Sequence, residues 1–85
     1  MPEICRFFGI IISLYWRDHN PPHIHIEYGE YQCSMSISDR VVNGQIPLKI
    51  VTKVNEWMNL HEDEILALWY KAQRGEKLNR IDPLK

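Results

Sequence analysis

Ile24-His25-Ile26-Glu27-Tyr28-Gly29-Glu30-Tyr31-Gln32-Cys33-Ser34-Met35-Ser36-Ile37 is the stretch on which the fold turns. On either side of Gly29-Glu30, apolar and polar residues alternate with the period of an extended strand. A two-residue loop with glycine first is what a type II′ hairpin turn requires. That turn sets the register. Tyr28 faces Tyr31, Ile26 faces Cys33 and Ile24 faces Met35 on one side of the hairpin. Glu27 faces Gln32, His25 faces Ser34 and His23 faces Ser36 on the other. One side is a core and the other a polar column, and a slip of one residue would turn every histidine inward.

Upstream, the pattern predicts one long strand from Phe7 to Trp16. Phe8, Ile10, Ile12, Leu14 and Trp16 lie on its core side, and Phe7, Gly9, Ile11, Ser13 and Tyr15 on the other. Gly9 reads as a bulge or a close backbone approach. Arg17-Asp18-His19-Asn20-Pro21-Pro22 should end the strand in a loop stiffened by its two prolines. Downstream, Ser38-Asp39-Arg40 reads as a turn before a short strand over Val41–Ile46, with Asn43-Gly44 as a kink or tight turn. Pro47 suits the first position of a helix, whose apolar stripe is Ile50, Val51, Val54, Trp57 and Met58. Asn59 and Glu62 have capping-box spacing and predict the start of a second helix. That helix would bury Ile65, Leu68, Trp69 and Ala72 and stop at Gly75. The tail from Glu76 to Lys85 should pack as an extended segment. The expected fold is α+β: an antiparallel sheet of three or four strands in the N-terminal half, packed on one face by two C-terminal helices.

The chain has 85 residues, which fits a single domain over residues 1–85. Ten Lys and Arg stand against eleven Asp and Glu, a balance that does not support phosphate-driven nucleic-acid binding. The longest apolar run, Gly9–Trp16, is far too short to span a membrane, and no charged-then-apolar leader opens the sequence. With two cysteines, Cys5 and Cys33, the expectation is a reduced, cytoplasmic protein, although the sequence leaves open whether the two pair.

Chemistry is concentrated where the loop meets the hairpin. His23 and His25 leave the same strand face about 6–7 Å apart. They can share a metal with His19, or Asp18, brought in from the loop as the third ligand. The expectation is no required cofactor, with zinc as the ion that His19, His23 and His25 would hold. Without metal, His23 and His25 suit general acid–base work, with Glu27 as a further acceptor or base. Ser34 and Ser36 opposite the histidines invite a nucleophilic role, but no oxyanion hole or third triad member can be named. The competing reading is that these side chains are simply the solvated face of an open sheet. Asp18, His19, Asn20, Pro21, Pro22, Tyr28 and Tyr31 make up the expected binding surface. Of the tryptophans, Trp16, Trp57 and Trp69 all fall at core positions.

Read whole, the chain resembles DUF4160, a family of short bacterial domains of unknown function. The resemblance is carried by Pro2-Glu3-Ile4, Arg6-Phe7-Phe8-Gly9-Ile10, Asp18-His19-Asn20-Pro21-Pro22-His23-Ile24-His25 and Tyr28-Gly29-Glu30-Tyr31. Trp57, His61, Trp69, Gly75 and Ile81-Asp82-Pro83-Leu84 extend it. It implies a stand-alone cytosolic protein, often encoded beside another small protein in an arrangement like a toxin–antitoxin pair. It brings no catalytic residues to carry over. The leading expectation is an interaction module that binds a small partner protein encoded nearby, or a second copy of itself. A histidine-dependent ribonuclease or other hydrolase, with or without metal, is the alternative. A transcriptional regulator is the third.

Overall fold

The computed structural model describes residues 2–85. Five strands, β1 (Glu3–Phe7), β2 (Ile10–Ser13), β3 (His23–Tyr28), β4 (Tyr31–Ser36) and β5 (Val42–Gln45), precede a single helix α1 (Leu48–Gln73). The strands form one antiparallel sheet in chain order, β1-β2-β3-β4-β5. The α+β class and the antiparallel sheet are as expected, but there are five strands rather than three or four, and one helix rather than two.

The additional strand comes from the N-terminal run, which breaks into a hairpin. Phe8 and Gly9 both take positive φ, 50° and 78°, as a type I′ turn demands. An apolar Phe in the first turn position disguises the break as a continuous strand. Ile10, Ile12 and Leu14 are buried as the alternation requires, whereas Phe8 is exposed in the turn and Phe7 packs instead, 5.8 Å from the Trp57 ring. Trp16, expected in the core, is 45% exposed and donates its indole N–H to the Glu76 carbonyl at 2.9 Å. A register shift between Glu3 and Cys5 lets consecutive residues Ile4 and Cys5 both turn inward.

Across the central hairpin the pairing is the expected one, from Tyr28 with Tyr31 through Ile26 with Cys33 to His23 with Ser36. Gly29 has the positive φ of the predicted turn. Of the two expectations for Asn43-Gly44, the separate tight turn does not form; Gly44 takes a positive φ of 109° within the strand. It lies within β5, where a Cβ on Gly44 would come 2.8 Å from the Gln32 carbonyl oxygen. Cys5 and Cys33 are both buried free thiols, and burial raises the pKa of each.

Helix α1 follows Pro47, which precedes the helix rather than opening it, and whose carbonyl accepts the Ile50 and Val51 amides. The predicted helix boundary near Asn59 is a kink at His61 (φ −127°, ψ 18°) inside one continuous element. Asn59 and Glu62 do not cap a new helix, because both side chains accept hydrogen bonds from Arg40, as does Asn55. The Arg40 guanidinium thereby ties the β4–β5 connection to α1. The apolar stripe runs through the kink, so Ile50, Val54, Trp57, Met58, Ile65, Leu68 and Trp69 are all buried against the sheet. The helix ends one residue before Arg74, with Gly75 at φ 70°. As expected, the tail packs extended: Ile81 is buried and donates its amide to the Ile4 carbonyl of β1 at 2.8 Å. No helix of the described residues is long and apolar enough to cross a membrane.

Candidate functional site

The polar column of β3 and β4 lies on the sheet side away from the Ile24, Ile26 and Met35 core side chains, and the loop after β2 folds back over one end of it. Three contacts with the end of α1 and the residues just beyond it hold the loop there. The Arg17 amide donates to the Ala72 carbonyl at 3.1 Å, the Gln73 side-chain amide donates to the Asp18 carbonyl at 3.0 Å, and the Trp16 indole donates to Glu76. Arg17 takes a positive φ of 54° in the turn that delivers Asp18.

Asp18 is the hub. Its Oδ1 accepts the His19 backbone N–H at 2.9 Å, which fixes the carboxylate plane. Its Oδ2 lies 2.8 Å from His25 Nε2 and 2.9 Å from His23 Nε2. On the far side of its ring, His23 Nδ1 is 2.8 Å from the Pro21 carbonyl. A carbonyl only accepts, so that nitrogen carries a proton and Nε2 is the one presented to Asp18. His25 is stacked on Tyr15 with ring centroids 3.8 Å apart and planes 8° from parallel. The His23 ring also touches Trp69 of α1 at 5.2 Å. The Asp18 side chain is only 11% exposed. Burial pushes its carboxyl up, but the hydrogen bond from His25, the His19 amide and the nearby imidazoles outweigh this and leave it below the usual aspartate value.

The face is solvated only in part: His25, Glu27 and Ser34 are half-buried and Gln32 is exposed, but one end is closed. His23, Ser36 and Ser13 are all buried. The structure also separates the two serines. The Ser36 hydroxyl bonds to Asp39 and accepts the Val41 amide, so it holds a turn and is not free to act as a nucleophile. Both serines line a small cavity of about 150 Å³ with His19, Pro21, His23, His25 and Asn43, but of the two only Ser36 has its hydroxyl engaged in holding that turn.

Of the expected metal set, His23 and His25 converge and His19 does not. The group whose ligand atoms all lie within 4.8 Å of one another is Asp18, His23 and His25. The His19 side chain is 82% exposed, touching Asp18 Oδ1 at 3.0 Å. Glu27 shares the strand face but lies outside the cluster, level with Ile11 and Gln32. Of the expected binding surface, Asn20 and Pro21 are exposed beside the cluster, while the Pro22 carbonyl is taken by the Ile37 amide. Tyr28 and Tyr31 pair at the opposite end of the hairpin from His23. The nearby basic residues are committed elsewhere: Arg40 to α1, and Arg17 against Gly75. A larger concavity, about 420 Å³ at the α1 kink, is a different place, lined by Asn59, His61 and acidic neighbours. It has none of the converging donors of the histidine cluster.

The family model for the domain of unknown function DUF4160 matches residues 9–70. The chain belongs to the DUF4160 family. The matched span takes in the whole Asp18–His25 stretch, the central hairpin and the Trp57 and Trp69 positions of this DUF4160 protein. No curated protein and no solved structure matches it.

Two members of the site were not singled out from the sequence. Tyr15 shares strand parity with Ser13, which pairs with His25, so parity alone pointed to its side of the sheet. Asn43 carried no such signal, because its place in β5 depends on pairing with Ser34.

Proposed function

We propose that this DUF4160 protein is an interaction module that takes an extended segment of a small partner protein along β5. The observation that carries the reading is the asymmetry of the two sheet edges. The outer edge of β1 receives the tail through Ile81 and the Arg80–Glu3 ion pair. Beyond β5 no strand lies among the described residues. An edge strand leaves backbone donors and acceptors ready to pair with another chain. Val41 and Leu48, 51% and 79% exposed, bracket β5 and offer apolar contacts to an added strand. A partner encoded beside this gene, as in a toxin–antitoxin-like pair, is the occupant the family resemblance favours.

Co-expression with the neighbouring gene product tests this. A stable complex should form, and the double variant Val41→Glu, Leu48→Glu should weaken it at least about tenfold while leaving the melting temperature nearly unchanged. A complex that forms equally well with that variant, or no complex at all, overturns it.

A second reading, histidine-dependent hydrolysis of RNA or another substrate, draws on the His25–Asp18 pair. A carboxylate behind an imidazole is the arrangement that orients a general base. If cleavage is found, His25→Ala should abolish it, and retained cleavage would remove this reading.

A further inference from the structure

The approach of His23 to Asp18 poses a problem of proton placement. His23 Nδ1 must carry a proton, because its partner is the Pro21 carbonyl. A neutral imidazole then has only a lone pair at Nε2, yet Nε2 lies 2.9 Å from Asp18 Oδ2. Two electron-rich atoms at that distance need a positive centre between them, either a second imidazole proton or a cation. His25 Nε2 reaches the same oxygen at 2.8 Å. Both nitrogens therefore approach the same carboxylate oxygen, and all three atoms lie within 4.8 Å of one another.

We infer that Asp18 Oδ2, His23 Nε2 and His25 Nε2 form a binding site for a divalent first-row metal ion of the zinc class. The donor set fits such an ion: two imidazoles and one carboxylate are what zinc takes in sites that keep a position open. An ion about 2.0–2.1 Å from each donor sets them roughly 3.3 Å apart. The contacts of 2.8 and 2.9 Å are a few tenths shorter, which small side-chain rotations supply.

The surroundings have the form expected of a metal site's outer layer. The Pro21 carbonyl fixes the His23 tautomer with Nε2 facing the ion. The His19 amide orients the Asp18 carboxylate, and Tyr15 holds the plane of His25. The cavity of about 150 Å³ beside the two histidines has room for water ligands to complete the coordination. This inference is independent of the strand-addition reading, since the site is complete within one chain.

The test is titration of tag-free protein with zinc chloride, followed by calorimetry and by histidine side-chain NMR. One equivalent should bind. The ring signals of His23 and His25 should lock into the Nδ1–H form, while those of His61, which pairs with Glu64 at the α1 kink, stay unchanged. Cobalt in place of zinc should give visible absorption of low coordination number. His23 is buried and its replacement risks the fold, so the variants are His25→Ala and Asp18→Asn, checked for native circular dichroism. Each should weaken binding by about tenfold or more. Equal binding by Asp18→Asn, or zinc that perturbs all four histidines alike, overturns the site. Neither result bears on whether Val41 and Leu48 govern partner binding, so the two proposals fail separately.

Discussion

The two faces of the β3–β4 hairpin are built from the same strands and stabilised in different ways. On one face Ile24, Ile26, Cys33 and Met35 meet the stripe of α1, and apolar burial does the work over many interchangeable contacts. On the other face His23 and His25 meet the loop after β2, and that contact depends on the single Asp18 carboxylate. The apolar face tolerates compensation because packing is non-directional. The polar face does not, because buried polar atoms need partners at fixed distances and angles.

The sharpest way to break this contrast is at Trp57, which is fully buried and donates its indole N–H to the Asp82 carbonyl at 2.8 Å. Trp57→Ala should cost about 3–5 kcal/mol in urea unfolding. A loss well below that would show that the helix-covered face is not the main source of stability. On the polar face, Asp18→Asn should cost about 1.5–3 kcal/mol at neutral pH, since it removes hydrogen bonds to a charged acceptor. The pH dependence has a definite sign. Asp18 releases its proton more readily in the folded chain than in the unfolded one. Its stabilising contribution is therefore complete above the ordinary aspartate value and is lost as pH falls from about 4 through the lower folded value. The gap between wild type and Asp18→Asn should narrow over that range, and a gap independent of pH would show that the carboxylate charge is not what holds the loop. The smallest effect belongs to Glu27, on the same strand face but outside the cluster. Glu27→Gln should change stability by no more than about 0.5 kcal/mol. A larger loss would extend the polar centre further along β3 than the geometry does.

Legibility followed the same division. The β3–β4 register could be read from Gly29-Glu30 and the alternation around it, because turn type and strand period are local properties. The α1 stripe could be read for the same reason, and it correctly named Trp57 and Trp69 as core. Errors arose where a local signal was ambiguous or was overridden from a distance. Phe8 looked like strand because apolarity says nothing of a positive φ. Asn59 and Glu62 have the spacing of a cap, but both are claimed by Arg40, nineteen and twenty-two residues earlier. Trp16 has the strand parity of a core residue, but the docking of the loop beyond the helix end turns it outward.

The sequence by itself determined that His23 and His25 share a face, that Ile24 and Ile26 share the opposite one, and that a stiff loop carrying Asp18 and His19 lies next to them. Only the tertiary structure decided that Asp18, and not His19, enters between the two imidazoles, and that Tyr15 covers one of them. Strand parity follows from backbone geometry residue by residue. The position of Asp18 rests on Gln73, fifty-five residues away along the chain, and a contact across that separation exists only once the helix has packed on the sheet.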